Sequence, residues 1–387
     1  MWIKREGAVS EYQYVEFVAI DAPVTEKNLE YMQRQSTRAE ITNWSFINEY
    51  HYGSFRGNAL EMLRRGYDFH LHFANYGTRK LLIRLPAGLP DPKIFEQYEI
   101  PDSLEFIKDP DGPGGSLSII PFFDGGDLDY LSDVSTMLNR LIPLRAELLE
   151  GDLRPLYLAH LVISLDSNHD PEESHEAPVP AGLEALTDAQ WALTDFFDMG
   201  ASLINAAAIE SPPLTKNAAR EQASQQEEWI QRQPEAVKNV WLASLMKDRA
   251  APVRAEMLTK FRTDQAVPAW PTSNPGRTMT QLCDLETEIA EKAKQQAAAT
   301  AAKARQKKLA QIAADPTTTL RETERLVAAR STSGYKKAAE LLAELREALA
   351  QFRKVGVAEE QAVKLKKQNP TLKILHKELR NAGLVAK

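Results

Sequence analysis

The chain has 387 residues, 43% hydrophobic and 26% charged, which is ordinary for a globular protein and long enough for two or three separately cored domains. No run of 18 apolar residues free of charge occurs, which excludes a membrane-spanning helix. The net charge of −7 is unevenly placed: Thr278 to Lys387 holds 21 Lys and Arg against 13 Asp and Glu, and residues 1–277 hold 26 against 41, an asymmetry that bears on partners more than on fold.

Cys283 is the single cysteine, so no internal disulfide and no paired-cysteine zinc pattern can form. The first residues lack an apolar core and a small-residue cleavage site, so no secretory signal is expected and the expected compartment is the cytoplasm.

From the start, Tyr12 to Ile20 is rich in β-branched and aromatic residues and reads as a strand stopped by Asp21 and Pro23. Thr25 is placed to cap a helix running to about Gln35. Ser45 to His51 reads as a second strand, closed by Gly53. Leu60, Leu63 and Tyr67 recur at helical spacing from Asn58 onward. Lys80 to Leu85 is a further strand, ended by Pro86, and two short ones are expected near 103–107 and 116–122. This alternation predicts an α+β fold whose front, 11–165, is a mixed α/β layer of about five strands with helices on one side.

Helices are expected over 130–165, punctuated by Pro143, Gly151 and Pro155. The acidic, proline-rich stretch 166–182 then reads as an exposed linker. A helical domain follows over 183–275, broken at Pro212-Pro213. Thr278 to Ala314, rich in Ala, Lys, Gln and Glu, predicts one polar helix of 37 residues, about 55 Å long. Leu282, Leu285 and Ile289 begin a coiled-coil seam that Lys292, Gln296 and Lys303 do not continue. Residues 317–387 predict short helical hairpins separated by Gly334, Gly356, Pro370 and Gly383.

Several segments resemble a family of uncharacterised bacterial proteins: Tyr12 to Asp21, Ser36 to Thr42, Asn48 to Gly53, Asn75 to Arg79, Leu141 to Arg154, Pro268 to Thr272 and the final helices. This resemblance implies no activity, cofactor or substrate. The C-terminal helices are also similar to tails of some SWIM zinc-finger proteins, but that motif needs three cysteines and a histidine, so its zinc function does not carry over.

Candidate sites are few. No phosphate-binding loop pattern occurs, and Gly112-Pro-Gly-Gly115 reads as a surface turn. On a strand, His70 and His72 would share a face with Asp68 as a metal set; on a helix they would diverge by roughly 200°. Phe69, Leu71 and Phe73 alternate as a strand does, whereas Leu60, Leu63, Tyr67, Leu71 and Ala74 make a helical stripe ending at Gly77. The family resemblance favours a helix over 58–75, and no metal or other cofactor is therefore expected. Asp124-Gly-Gly-Asp-Leu-Asp129 reads as an acidic loop before a helix rather than a calcium site. Glu49 and His51 share one face of their strand and are the candidate acid–base pair. Cys283, beside Asp284, is not expected to be reactive. Lys303, Arg305, Lys307 and Lys308, with Lys364, Lys366 and Lys367, form two basic clusters that suit phosphates, although stacking aromatics are scarce.

The leading expectation is a non-enzymatic interaction or scaffold protein with a protein partner. Nucleic-acid binding through the basic clusters is the alternative, and an enzyme centred on Glu49 and His51 is third.

Overall fold

The computed structural model describes residues 11–86, 91–112, 114–123, 134–166, 169–214, 218–247, 250–265, 269–350 and 356–386. In chain order the elements are β1 (Gln13–Val18), α1 (Glu26–Gln33), β2 (Glu40–Ile41), β3 (Ser45–Tyr50), α2 (Ala59–Arg64), β4 (Phe69–Ala74), β5 (Thr78–Leu85), α3 (Pro92–Phe95), β6 (Leu104–Lys108) and β7 (Gly115–Ile119). They continue with α4 (Val134–Leu141), α5 (Pro143–Glu150), α6 (Arg154–Ser164), β8 (Val179–Pro180), α7 (Asp188–Phe197), α8 (Ala201–Ala208), α9 (Ala218–Arg232), α10 (Glu235–Leu245), α11 (Ala250–Gln265) and β9 (Thr272–Ser273). The last five are α12 (Met279–Ala314), α13 (Pro316–Ala328), α14 (Thr332–Ala350), α15 (Val357–Gln368) and α16 (Lys373–Asn381).

Seven strands form one antiparallel sheet in the order β2-β3-β1-β4-β5-β7-β6. The fold is α+β, as the alternation of elements predicted, but the helices do not keep to one side. Tyr14, Phe69, Leu71, Phe73, Leu81 and Ile83 on one face pack with α4 to α8 in the main core. Val15, Phe17, Phe46 and Leu82 on the other face pack with Met32 of α1 and Met62 and Leu63 of α2.

The helix expected over 58–75 is corrected. The Asn58 side chain does cap α2, accepting from the Glu61 N–H at 3.0 Å, but the helix stops at Arg64. Gly66, at φ +137°, turns the chain, and period-two alternation wins because Phe69, Leu71 and Phe73 are all fully buried. Both edges of β4 are hydrogen-bonded, to β1 and to β5. Gly77, expected as a helix cap, instead closes the β4–β5 hairpin at φ +112°.

The stretch read as an exposed linker is also corrected. Glu176, Ala177, Val179 and Ala181 are buried, and β8 pairs with β9. Glu176 accepts from Arg277, 101 residues away in sequence, and from the Tyr157 hydroxyl, so the carboxylate is paired rather than solvated. The sheet and the helices α4 to α8 share one core, so 11–165 and 183–275 are not separately cored, apart from a satellite in α9–α11 built on Trp229, Trp241, Val253 and Phe261.

The chain divides into two compact units between Ile289 and Ala290. In the first, Thr278 and Gln281 cap α12 reciprocally, and Met279 and Leu282 enter the main core. Along α12 every residue from Glu291 to Lys308 is exposed, as its polar composition predicted. The second unit is cored by Leu342, Leu345, Leu365, Leu375 and Leu379 from α14, α15 and α16. No helix among the described residues is long and apolar enough to cross a membrane.

Candidate functional site

The strand geometry of β4 places His70 and His72 on one face after all, with ring centroids 6.2 Å apart. Their surroundings are not those of metal ligands. His70 is stacked on Phe17 at 4.1 Å, and its Nδ1 lies 3.2 Å from the Glu16 carbonyl oxygen. His72 Nε2 lies 3.1 Å from Gln13 Oε1, and Gln13 in turn donates to the Gly53 carbonyl at 2.6 Å. Burial, and then the neighbouring His72, hold His70 well below the usual imidazole range; burial and Lys80 lower His72 to about 4. Asp68, the third member of the expected set, is engaged elsewhere. It accepts the Ile20 and Asp21 N–H groups at 2.6 and 2.9 Å and lies 3.8 Å from Arg145. Arg145 itself forms a two-pronged pair with Asp21 at 2.6 and 2.7 Å. Among the described residues no three His, Cys, Asp or Glu are grouped to hold a metal ion.

Glu49 and His51 are both exposed; Glu49 pairs with Tyr14 in register, and His51 stands 5.6 Å from Tyr12, ring to ring. Beside them is a group that the sequence reasoning passed over. Tyr14 donates to Glu16 Oε2 at 3.0 Å on the face covered by the main core, and both residues are nearly sealed. Burial pushes the Glu16 carboxyl up to about 7, partly offset by the Tyr14 hydrogen bond, and pushes the Tyr14 hydroxyl higher still than usual. The pair can hold a proton near neutral pH. A signal was present: a glutamate inside Tyr14-Val-Glu-Phe-Val18 is out of place in a strand buried on both faces. The main core thus sits against Glu16 just as Arg79 is buried between the rings of Phe73 and Phe123.

Cys283 is half-buried, and burial with the nearby Glu286 and Asp284 carboxylates pushes its thiol up, away from a reactive thiolate. Asp124 to Asp129 lies outside the described residues, as does Pro113 of the glycine cluster. The rest of that cluster belongs to the β6–β7 turn, where Asp109 N–H donates to the Gly114 carbonyl at 2.9 Å.

The basic candidates of the second unit are partly neutralised. Arg305 makes a forked pair with Glu347 at 2.6 and 3.2 Å, Lys308 meets Glu344 at 2.5 Å, and Lys364 meets Glu324 at 2.8 Å. Lys303, Lys307 and Lys367 are exposed and Lys366 is half-buried.

A further feature was not anticipated. α10 and the residue after it expose Val240 (63%), Leu242 (59%), Leu245 (42%) and Met246 (87%). Leu242, Leu245 and Met246 are spaced three and four apart and so share one side of the helix. Trp241, between them and the satellite core, is buried against Trp229 at 5.8 Å.

Comparisons with protein-family models, with curated proteins and with solved structures returned no match for this chain.

Proposed function

We propose that this chain is a non-enzymatic interaction protein whose partner is another protein. The observation that carries the reading is the apolar side of α10, where Leu242, Leu245 and Met246 meet solvent together. Large apolar side chains grouped on a surface mark contact sites far more often than scattered ones do. A polar helix exposed from Glu291 to Lys308 is consistent with a chain that presents surfaces rather than one that encloses a substrate.

The two rival readings have less support. Nucleic-acid binding needs unpaired cations, and Arg305, Lys308 and Lys364 are engaged by glutamates. An enzyme at Glu49 and His51 would use two exposed residues, while the protonatable pair beside them, Tyr14 and Glu16, is sealed from any approaching substrate.

The test is recovery of the full-length protein from its native host with and without the paired substitutions Leu242→Asp and Met246→Asp. A stoichiometric protein partner is expected with the unaltered chain and absent with the variant. Recovery of the unaltered chain alone, or equal recovery of the partner on both, overturns the reading.

A further inference from the structure

The satellite α9–α11 forms an apolar pocket of about 160 Å³ that opens to solvent on one side. Its walls include Trp229 and Ile230 of α9, Leu245 of α10, and Val253, Met257 and Phe261 of α11. Trp229 and Phe261 stand edge to face, 5.6 Å apart at 72°. Their arrangement is fixed from outside the pocket. The Trp229 indole N–H donates to Asp264 at 3.0 Å and the neighbouring Trp241 donates to Glu256 at 3.1 Å. Neither acceptor belongs to the wall, so the aromatic polar atoms are satisfied without making the pocket polar.

Two polar side chains reach the lining, Gln226 and Arg254. The Arg254 guanidinium is already paired with Glu150, so the pocket offers no uncompensated charge to a ligand. A charged occupant would lose its hydration with nothing in return. Size is equally restrictive: an apolar cavity of about 150 Å³ stays dry and holds one benzene ring. We infer that this pocket is a binding site for a neutral, single-ring aromatic molecule. The space holds one ring, and a second fused ring would have to project past Leu245, which at 42% exposed stands at the opening.

The pocket shares Leu245 with the surface of the protein-partner reading, but Leu242 and Met246 are not part of its wall, so substitutions there separate the two. The test is a titration of the intact protein with toluene, read from side-chain methyl resonances. The methyls of Ile230, Leu245, Val253 and Met257 should shift saturably at one site per chain, while those of Leu375 and Leu379, in the core of the second unit, stay fixed. Naphthalene and benzylammonium should each bind at least tenfold more weakly. The substitution Ile230→Trp should fill the pocket and abolish the shifts, whereas Met246→Asp should leave them intact. Should Ile230→Trp fail to fold, bromobenzene diffused into crystals of the unaltered chain decides the matter by a bromine peak between Trp229 and Phe261. Shifts that do not saturate, that extend equally to Leu375 and Leu379, or that naphthalene reproduces at equal concentration overturn the inference, as does a bromine peak elsewhere.

Discussion

Glu16 and the two histidines of β4 sit back to back across the sheet, and burial acts on them with opposite consequences. The carboxyl of Glu16 is raised to about 7, so the folded state holds its proton more tightly than the unfolded chain does. Its stabilising contribution is therefore complete below the ordinary glutamate range and is lost as the pH rises toward 7. His70 and His72 are lowered, His72 to about 4, so the unfolded chain is the one that takes up protons. Their contribution is present above the ordinary imidazole range and is lost as the pH falls toward 4. Replacing Glu16 with Gln keeps the shape and removes the buried charge. Chemical denaturation of the two proteins should show the variant more stable by about 3 kcal/mol at pH 8, since each pKa unit is worth about 1.4 kcal/mol. The gain should vanish near pH 4, where both forms are neutral. Equal stability at pH 8 would mean that Glu16 is solvated there. The histidine contribution is read as the difference between this variant and one that also carries His70→Asn and His72→Asn, and that difference should change between pH 4 and 7. A difference that stays constant over that range would place both imidazoles in contact with water.

Elements that rest on local signals were legible in the sequence. Pro316 and Gly356 fix helix starts, and Gly151, at φ +86°, ends α5. The predicted polar helix and hairpins of 278–387 are observed within a few residues because their punctuation is local. Elements that rest on distant partners were not legible. β4 is a strand because β1 and β5 flank it, and its sequence also satisfies a helical stripe until Gly66 interrupts it. The stretch around Glu176 is acidic in isolation and becomes internal only when Arg277 arrives. The candidate sites divide the same way. The shared face of His70 and His72 was conditional on strand geometry, whereas the ion pairs that neutralise Arg305, Lys308 and Lys364 could not be read from composition. The separate core of the second unit gives a test at this scale. Leu342 on α14 is fully buried there. Leu342→Ala should cost about 2–5 kcal/mol, the usual range for such a cavity. Hydrogen exchange should accelerate across α13–α16 and remain unchanged in β1, β4 and β5, whose cores are distinct clusters. Equal acceleration in the sheet would show that the two cores unfold as one.

At the scale of the whole molecule, the question is what the charge asymmetry does. The region from Thr278 onward has an excess of eight cations and the rest of the chain an excess of fifteen anions, which invites a nucleic-acid reading. Position decides whether that excess is usable. Three of the seven strongest cationic candidates are held by Glu324, Glu344 and Glu347 within the second unit, and the acidic remainder of the chain repels phosphate. Non-specific DNA affinity is set by the number of phosphates neutralised, each adding about −0.9 to the slope of log affinity against log salt. The intact protein should therefore bind duplex DNA more weakly than micromolar at physiological salt. Replacing Glu324, Glu344 and Glu347 together with Gln keeps the side-chain lengths and releases Arg305, Lys308 and Lys364. That variant should bind more tightly, and its salt slope should steepen by up to about 2.7, three phosphates' worth. Fluorescence anisotropy of a labelled duplex across a salt series measures both quantities. Binding by the unaltered chain tighter than micromolar at that salt would replace the protein-partner reading with the nucleic-acid one. Weak binding by the unaltered chain together with the predicted steepening in the variant would show that the glutamates, rather than a shortage of cations, keep this surface from phosphate.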